Sequence, residues 1–139
     1  MAILYKKDKF RIFERIFINS NLMCIVFEET QSKKLFAVIN VYRNPLKDKN
    51  YWELLKKAID RLMDKNLNTI VCGSDFNCHT GNNSLMDTQA TCNSNITLYR
   101  NSQDNTVDKE GLKLIDLMDE YSLNLLNGRT NGDENGNYT

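Results

Sequence analysis

The sequence has no surplus of either charge sign: eighteen Lys and Arg residues balance eighteen Asp and Glu residues, for a formal net charge of zero. The whole-molecule attraction that carries a tight nucleic-acid binder to its phosphates is therefore missing, and any phosphate binding has to be local. No apolar run approaches the ~20 residues that span a bilayer, so no membrane partner is expected. Cysteine is sparse and irregularly spaced, at Cys24, Cys72, Cys78 and Cys92. With no paired C-x-x-C this is neither a zinc spacing nor a disulfide framework, and with no signal segment ahead of it reduced thiols in an intracellular protein are expected. There is no internal repeat and no bias toward a fibrous or disordered composition. What is present, 139 residues of which 41% are hydrophobic, fits one globular domain or part of one.

Leu22 to Phe27 is apolar on both alternating faces, and Leu35 to Tyr42 is a second run rich in β-branched and aromatic residues. Both read as buried strands, joined through Glu28 to Lys34 as an antiparallel hairpin. A shorter strand is expected over Ala2 to Tyr5. After Pro45 the period changes. Leu54, Leu55, Ala58, Ile59, Leu62 and Met63 recur on one helical face, with Lys56, Lys57, Asp60 and Arg61 on the other. Asn50 with Glu53 three residues on makes a box-like start, and Asn66 marks the end.

Thr69 to Cys72 then reads as a short strand entering a special loop. From Cys78 to Val107 the chain is dominated by Asn, Ser, Thr and Asp, long for a structureless connection and therefore expected to be functional or mobile. A second helix is expected from about Asp108 to Tyr121, burying Leu112, Leu114, Ile115, Leu117 and Met118 despite the cost of Gly111 in its first turn. A strand at Leu123 to Leu126 and a turn-rich tail from Asn127 complete the pattern. Strands alternating with helices place the chain in the α/β class.

The chemistry-bearing segment is Ile70-Val71-Cys72-Gly73-Ser74-Asp75-Phe76-Asn77, an apolar strand that delivers an acid and an amide at its carboxyl end. Extended backbone alternates sides, so Asp75 and Asn77 are expected on one side and Phe76 on the other, as an anchor in the core. A carboxylate there can hold an attacking or Mg²⁺-bound water, and an amide can donate to a phosphoryl oxygen. The same residues also suit a plain Asx turn after a strand.

Gly73-Ser74-Asp75-Phe76-Asn77 resembles the GDFN or GGDFN signature of the endonuclease/exonuclease/phosphatase superfamily, with Ser74 where a second glycine stands. Asn40-Val41-Tyr42-Arg43-Asn44-Pro45 is similar to the family's N-[VI]-Y-x-x-P segment, one helix upstream, and Ala2 to Lys7 resembles the strand before that hairpin. Leu125-Leu126-Asn127-Gly128-Arg129, then Gly132-Asp133 and Gly136-Asn137-Tyr138-Thr139, resembles the LNGR…GD…G-x-Y-T stretch of non-LTR retrotransposon endonucleases.

The resemblance covers essentially the whole chain, in order. It implies a DNase I-like α/β sandwich of two packed sheets flanked by helices, and Mg²⁺-dependent cutting of one DNA strand. It further implies fusion to a reverse transcriptase and a nuclear site of action. It assigns Asp75 to the nucleophilic water and, indirectly, to the metal, Asn77 to the scissile phosphate, and Tyr42 to the same site. Tyr42 shares a strand face with Asn40, where a phenol can donate to a phosphate oxygen; a half-buried strand-end tyrosine is the plainer reading.

The family's metal-binding glutamate and its Ser-Asp-His segment have no counterpart in these residues. Residues 1–139 are therefore expected to be an internal fragment of a single domain, truncated at both ends, with negligible activity alone and a tendency to aggregate. Glu28 and Glu29 are expected to be solvated charges at a hairpin end. His79, the one histidine, falls where the family has an ordinary loop residue. The sequons at Asn82, Asn95 and Asn137 are read as chance matches. Phosphatase or phosphodiesterase activity of another branch, a non-catalytic remnant of a mobile element, and a small binding domain stay open at this point.

Overall fold

The structure, a computed structural model, describes residues 2–47, 49–67, 69–83 and 96–129. Its class is mixed α/β, with a four-stranded sheet and two helices among the described residues. The chain divides into two compact units, Met1–Asn77 and Cys78–Thr139.

In the first unit, β1 (Phe10–Asn19), β2 (Leu22–Glu29) and β3 (Leu35–Tyr42) form an antiparallel meander, and β4 (Thr69–Asp75) adds in parallel to β3 after helix α1 (Tyr51–Met63). The register separates two faces. On one, Leu22, Cys24 and Val26 of β2 stand opposite Val41, Ile39 and Ala37 of β3, all buried. The apolar stripe of α1, namely Leu55, Ala58, Ile59 and Leu62, is buried with them, and each such large side chain contributes ~1.5–3 kcal/mol. Glu14, on the same face, holds Lys65 just past the helix at 2.6 Å. Burial pushes the Cys24 thiol up to about 12, with Cys72 across the sheet adding to the shift.

The opposite face is open. Phe36, Val38 and Asn40 of β3 are half-buried, and Val71 of β4 and Phe17 of β1 are 49% and 67% exposed. Residues 2–6 cross part of it: the Tyr5 ring lies 5.1 Å from Phe27, and the Asn40 side chain donates to the Ala2 carbonyl at 3.2 Å.

Several local expectations are corrected. Ala2 to Tyr5 forms no strand, whereas Phe10 to Asn19, unanticipated, forms the longest one. Its alternation breaks at a register shift between Ile12 and Glu14, which hides the period of two. Asn50 does occupy the N-cap position of α1, but at φ −104° and ψ 24° its side chain bonds nothing there. Met63 is 54% exposed, and Tyr51 takes the buried place at the other end of the stripe. Glu28 is not a solvated hairpin charge: it is part of β2, buried, with Arg11 donating to it at 2.8 Å and the Lys33 ammonium forming an ion pair at 3.6 Å.

In the second unit, α2 (Lys109–Glu120) starts at Asp108, whose side chain accepts from the Gly111 amide at 2.6 Å. Gly111 is required here. A Cβ at that position would lie 1.8 Å from the His79 carbonyl oxygen, so the close approach needs glycine and outweighs its helix propensity. Leu114, Leu117 and Met118 are buried, while Leu112 is 48% exposed. The helix ends with Ser122 at φ 52°, the Ser122 amide donating to Asp119 and the Leu123 amide to Met118. This is a Schellman closure, and it turns the chain out of the helix. Leu123 to Leu126, expected as a strand, runs on as irregular chain.

Two arginines knit the polar segments of this unit together. Arg129 is buried and donates to the carbonyls of Leu125 (2.8 Å), Thr97 (3.2 Å) and Leu98. Arg100 donates to Asn127 (main chain 2.9 Å, side chain 2.8 Å), to the Thr80 hydroxyl (2.6 Å) and to the Gly81 carbonyl. The Asn127-Gly128-Arg129 part of the resemblance thus has a structural duty. The expected tail from Thr130 to Thr139 lies outside the described residues, as do Cys92 and Asn95. No described helix is long and apolar enough to cross a membrane, and the described cysteines form no disulfide.

Candidate functional site

The pairing of β3 with β4 brings Tyr42 and Asp75 into register as the last pair of the parallel ladder. Partners in a parallel ladder project to the same side of the sheet, so the phenol and the carboxylate share one face at the carboxyl ends of adjacent strands. That is where α/β sheets commonly carry their ligands. Both residues are exposed, Tyr42 at 45%. The Arg43 amide donates to the Asp75 carbonyl at 2.9 Å, which prolongs the ladder by one bond and fixes the corner.

Asn77 does not follow the strand's alternation. The strand ends at Asp75, and Asn77 sits at φ 47°, the left-handed region that asparagine tolerates better than most residues. Its amide N–H donates to Asp75 Oδ1 at 3.1 Å, so the Asx turn allowed by the sequence is formed as well. Its side-chain Nδ2 donates to the Arg43 carbonyl at 2.7 Å. One hydrogen of the carboxamide is therefore spent on the scaffold, and the second has no protein acceptor among the described residues.

Sequence reasoning missed Arg43. It is buried, and its Nη1 donates to the carbonyls of Asn77 at 2.9 Å and Phe76 at 3.3 Å. Its guanidinium carbon lies 5.5 Å from the centre of the Trp52 ring, on which Phe76 also stacks at 6.2 Å and 17°. Phe76, expected as an anchor in the core, is half-buried and stacks on Trp52 of α1. The signal available was thin: an Arg between a strand and the sole proline reads as an exposed charge, and only the fold shows two carbonyls pointing at it.

Asp75 by itself is not a metal centre. Among the described residues no three His, Cys, Asp or Glu side chains gather as a group able to hold an ion, and Mg²⁺ takes an octahedron of oxygens. Glu28 is no substitute: it projects to the helix-bearing face, opposite that of Asp75, and is engaged with Arg11.

His79, in the second unit, is held by a carboxylate. Its Nδ1 meets Asp104 Oδ2 at 2.5 Å, while Asp104 Oδ1 accepts from the Thr106 amide at 2.9 Å. The bond to Asp104 raises the imidazole above its ordinary value of 6.5, helped by the charges of Asp104 and Asp108. The same bond lowers Asp104, with the Thr106 amide adding to it. Compared with known protein families, curated proteins and solved structures, the chain matches none of them.

Proposed function

We propose that the rim formed by Tyr42, Asp75 and Asn77 is the phosphate-facing part of a DNA phosphodiesterase site of the retrotransposon-endonuclease type. The observation that carries this is the register pair: a phenol and a carboxylate on one open face, at the carboxyl ends of neighbouring parallel strands. In this reading the Asp75 carboxylate accepts a proton from, and so orients, the attacking water. The Tyr42 hydroxyl and the second amide hydrogen of Asn77 donate to non-bridging oxygens, where charge builds as the new P–O bond forms. Arg43 holds the corner so that the three groups need not reorganise.

The Mg²⁺ implied by the resemblance needs oxygen ligands beyond Asp75, and with them it would neutralise the phosphate. The isolated chain is accordingly assigned the positioning groups and negligible turnover. The open apolar face bearing Val38, Val71 and Phe17 supports the DNase I-like sandwich, because a second sheet packed there would bury it. In the longer polyprotein that the resemblance implies, a reverse transcriptase would follow, and the target would be nuclear DNA.

The test has two parts. A short DNA duplex with Mg²⁺ should shift the side-chain amide NMR signal of Asn77, and Asp75→Asn should weaken that response; no shift at saturating duplex sinks the reading. Supercoiled plasmid should stay essentially intact; titratable nicking abolished by Asp75→Ala would show that the rim needs no further groups.

A further inference from the structure

We propose that the two turns at one end of the sheet, residues 6–9 and 30–34, form a docking surface for the phosphate backbone of duplex nucleic acid, taken without regard to base sequence. The first turn is closed by the Lys9 and Phe10 amides, which both donate to the Lys6 carbonyl, at 3.1 and 3.0 Å. The β2–β3 connection is closed by the Glu29 amide donating to the Lys34 carbonyl at 2.9 Å and by the Lys33 amide donating to the Glu29 carbonyl at 3.0 Å, with Lys33 at φ 60°. The Thr30 amide then donates to the Lys9 carbonyl at 2.8 Å, which stitches one turn to the other. Lys9 and Lys34 therefore flank the end of β2, their backbones separated by two strand spacings, ~10 Å.

Residues 6–11 and 28–34 hold six basic side chains against three acidic ones, in a chain whose total charge is zero. Part of that surplus is answered locally. Glu28 takes Arg11 at 2.8 Å and Lys33 at 3.6 Å, and the Glu29 carboxylate accepts from the Ser32 hydroxyl. Lys6, Lys7, Lys9 and Lys34 are all exposed, and among the described residues none of their ammoniums has an ion pair or a hydrogen bond. The carboxylates beside them are those of Asp8 and Glu29, so the balance at this end stays positive. A duplex carries one charge per ~1.7 Å of its axis, and a cluster of this width meets several phosphates at once and releases their counterions.

The chemistry of the turns selects among polyanions. Lysine offers a point charge on a flexible stem, which suits a backbone that varies little with sequence. Residues 6–9 and 30–34 include no aromatic or aliphatic residue. They thus lack the ring on which single-stranded bases stack, and the apolar side chains that enter a bilayer beside basic charges. Thr30, Gln31 and Ser32 add hydroxyl and amide donors for phosphate oxygens. The surface lies outside the strands, past the end of the face that a second sheet would cover. The length of β3 separates Lys34 from Tyr42 by about 25 Å, so the surface stands independently of the function proposed above.

The probe is a fluorescein-labelled DNA duplex of about sixteen base pairs, bound to the full chain and followed by anisotropy as salt is raised from about 25 to 150 mM. Lys9→Gln and Lys34→Gln are each expected to weaken binding roughly threefold and to flatten the salt slope by about 0.9, and the double variant roughly tenfold. A duplex of scrambled sequence should bind equally well. Lys113→Gln, which removes the same charge from a lysine paired with Glu110 in the other unit, should change affinity less than about twofold. The near-ultraviolet circular dichroism of Trp52 should be the same in every variant, since each replaced side chain is exposed. Equal losses for Lys113→Gln and the turn variants, or a salt slope unmoved by the double variant, would overturn the proposal. So would tighter binding of a single strand of the same length, or of phosphatidylserine vesicles. The Asn77 signal reports the rim alone, so each region can fail without the other.

Discussion

Arg43 and Asn77 bond each other twice, in opposite senses: the Asn77 side chain donates to the Arg43 carbonyl at 2.7 Å, and the Arg43 guanidinium donates to the Asn77 carbonyl at 2.9 Å. The left-handed turn that carries Asn77 is therefore clasped to the end of β3 from both partners. A strand end that would fray is held as a defined corner.

Arg43→Ala should remove the guanidinium half of the clasp and leave the Phe76 and Asn77 carbonyls without that donor, at a cost of about 1–3 kcal/mol. Urea unfolding followed by Trp52 fluorescence reads it directly, because the guanidinium covers that ring. Arg43→Lys should recover little, since one ammonium lacks the planar fork that serves carbonyls and ring together. A loss under about 0.5 kcal/mol for both variants would mean that the corner is held by something else.

Two glycines should respond in opposite directions. Gly111→Ala places a methyl 1.8 Å from the His79 carbonyl oxygen, which α2 and its cap cannot accommodate without shifting, and a loss of about 2 kcal/mol or more is expected. Gly73→Ala meets nothing within 4 Å and should be neutral or stabilise the strand by ~0.5–1 kcal/mol. Paired thermal melts of the two variants decide it.

Two ion pairs should leave opposite marks on the pH profile. The Arg11 hydrogen bond holds the Glu28 carboxylate below its ordinary 4.5. The stability it contributes is present above 4.5 and is lost as pH falls through the folded value. His79 is raised above 6.5 by Asp104, so its contribution is complete below 6.5 and fades as pH rises through the folded value. Glu28→Gln should flatten the acid limb alone, and His79→Gln the limb above 6.5. Chemical unfolding at closely spaced pH values, with both limbs unchanged in both variants, would contradict the assignment.

Legibility in the sequence followed how local the cause was. The β2–β3 hairpin and the first helix announced themselves because Leu22 to Phe27 is apolar on both alternating faces, and Leu55, Ala58, Ile59 and Leu62 obey a period that a single helical face imposes. β1 did not: its bulge resets the alternation, and its Arg11, Glu14 and Arg15 resemble a solvated stretch until Glu28 and Lys65 are seen to answer two of them. Gly111 looked like a local cost because its reason lies at His79, far along the chain. At the rim, Tyr42 and Asp75 were expected to share a site, and the ladder sets them side by side on one face. The twist of Asn77 out of strand geometry and the buried Arg43 behind it depend on contacts more than thirty residues apart, which no spacing encodes.

The route of the chain through its sheet sets an order of assembly. β1, β2 and β3 are joined by tight connections and can zip up from neighbours, whereas β4 reaches β3 only after α1 has been laid across. An intermediate arrested at the meander would already pair Leu22, Cys24 and Val26 with Val41, Ile39 and Ala37, yet its Tyr42 would face an empty neighbour position. The corner that bears the acid is thus the last part of the first unit to come into existence, and the first to vanish when that final pairing lets go.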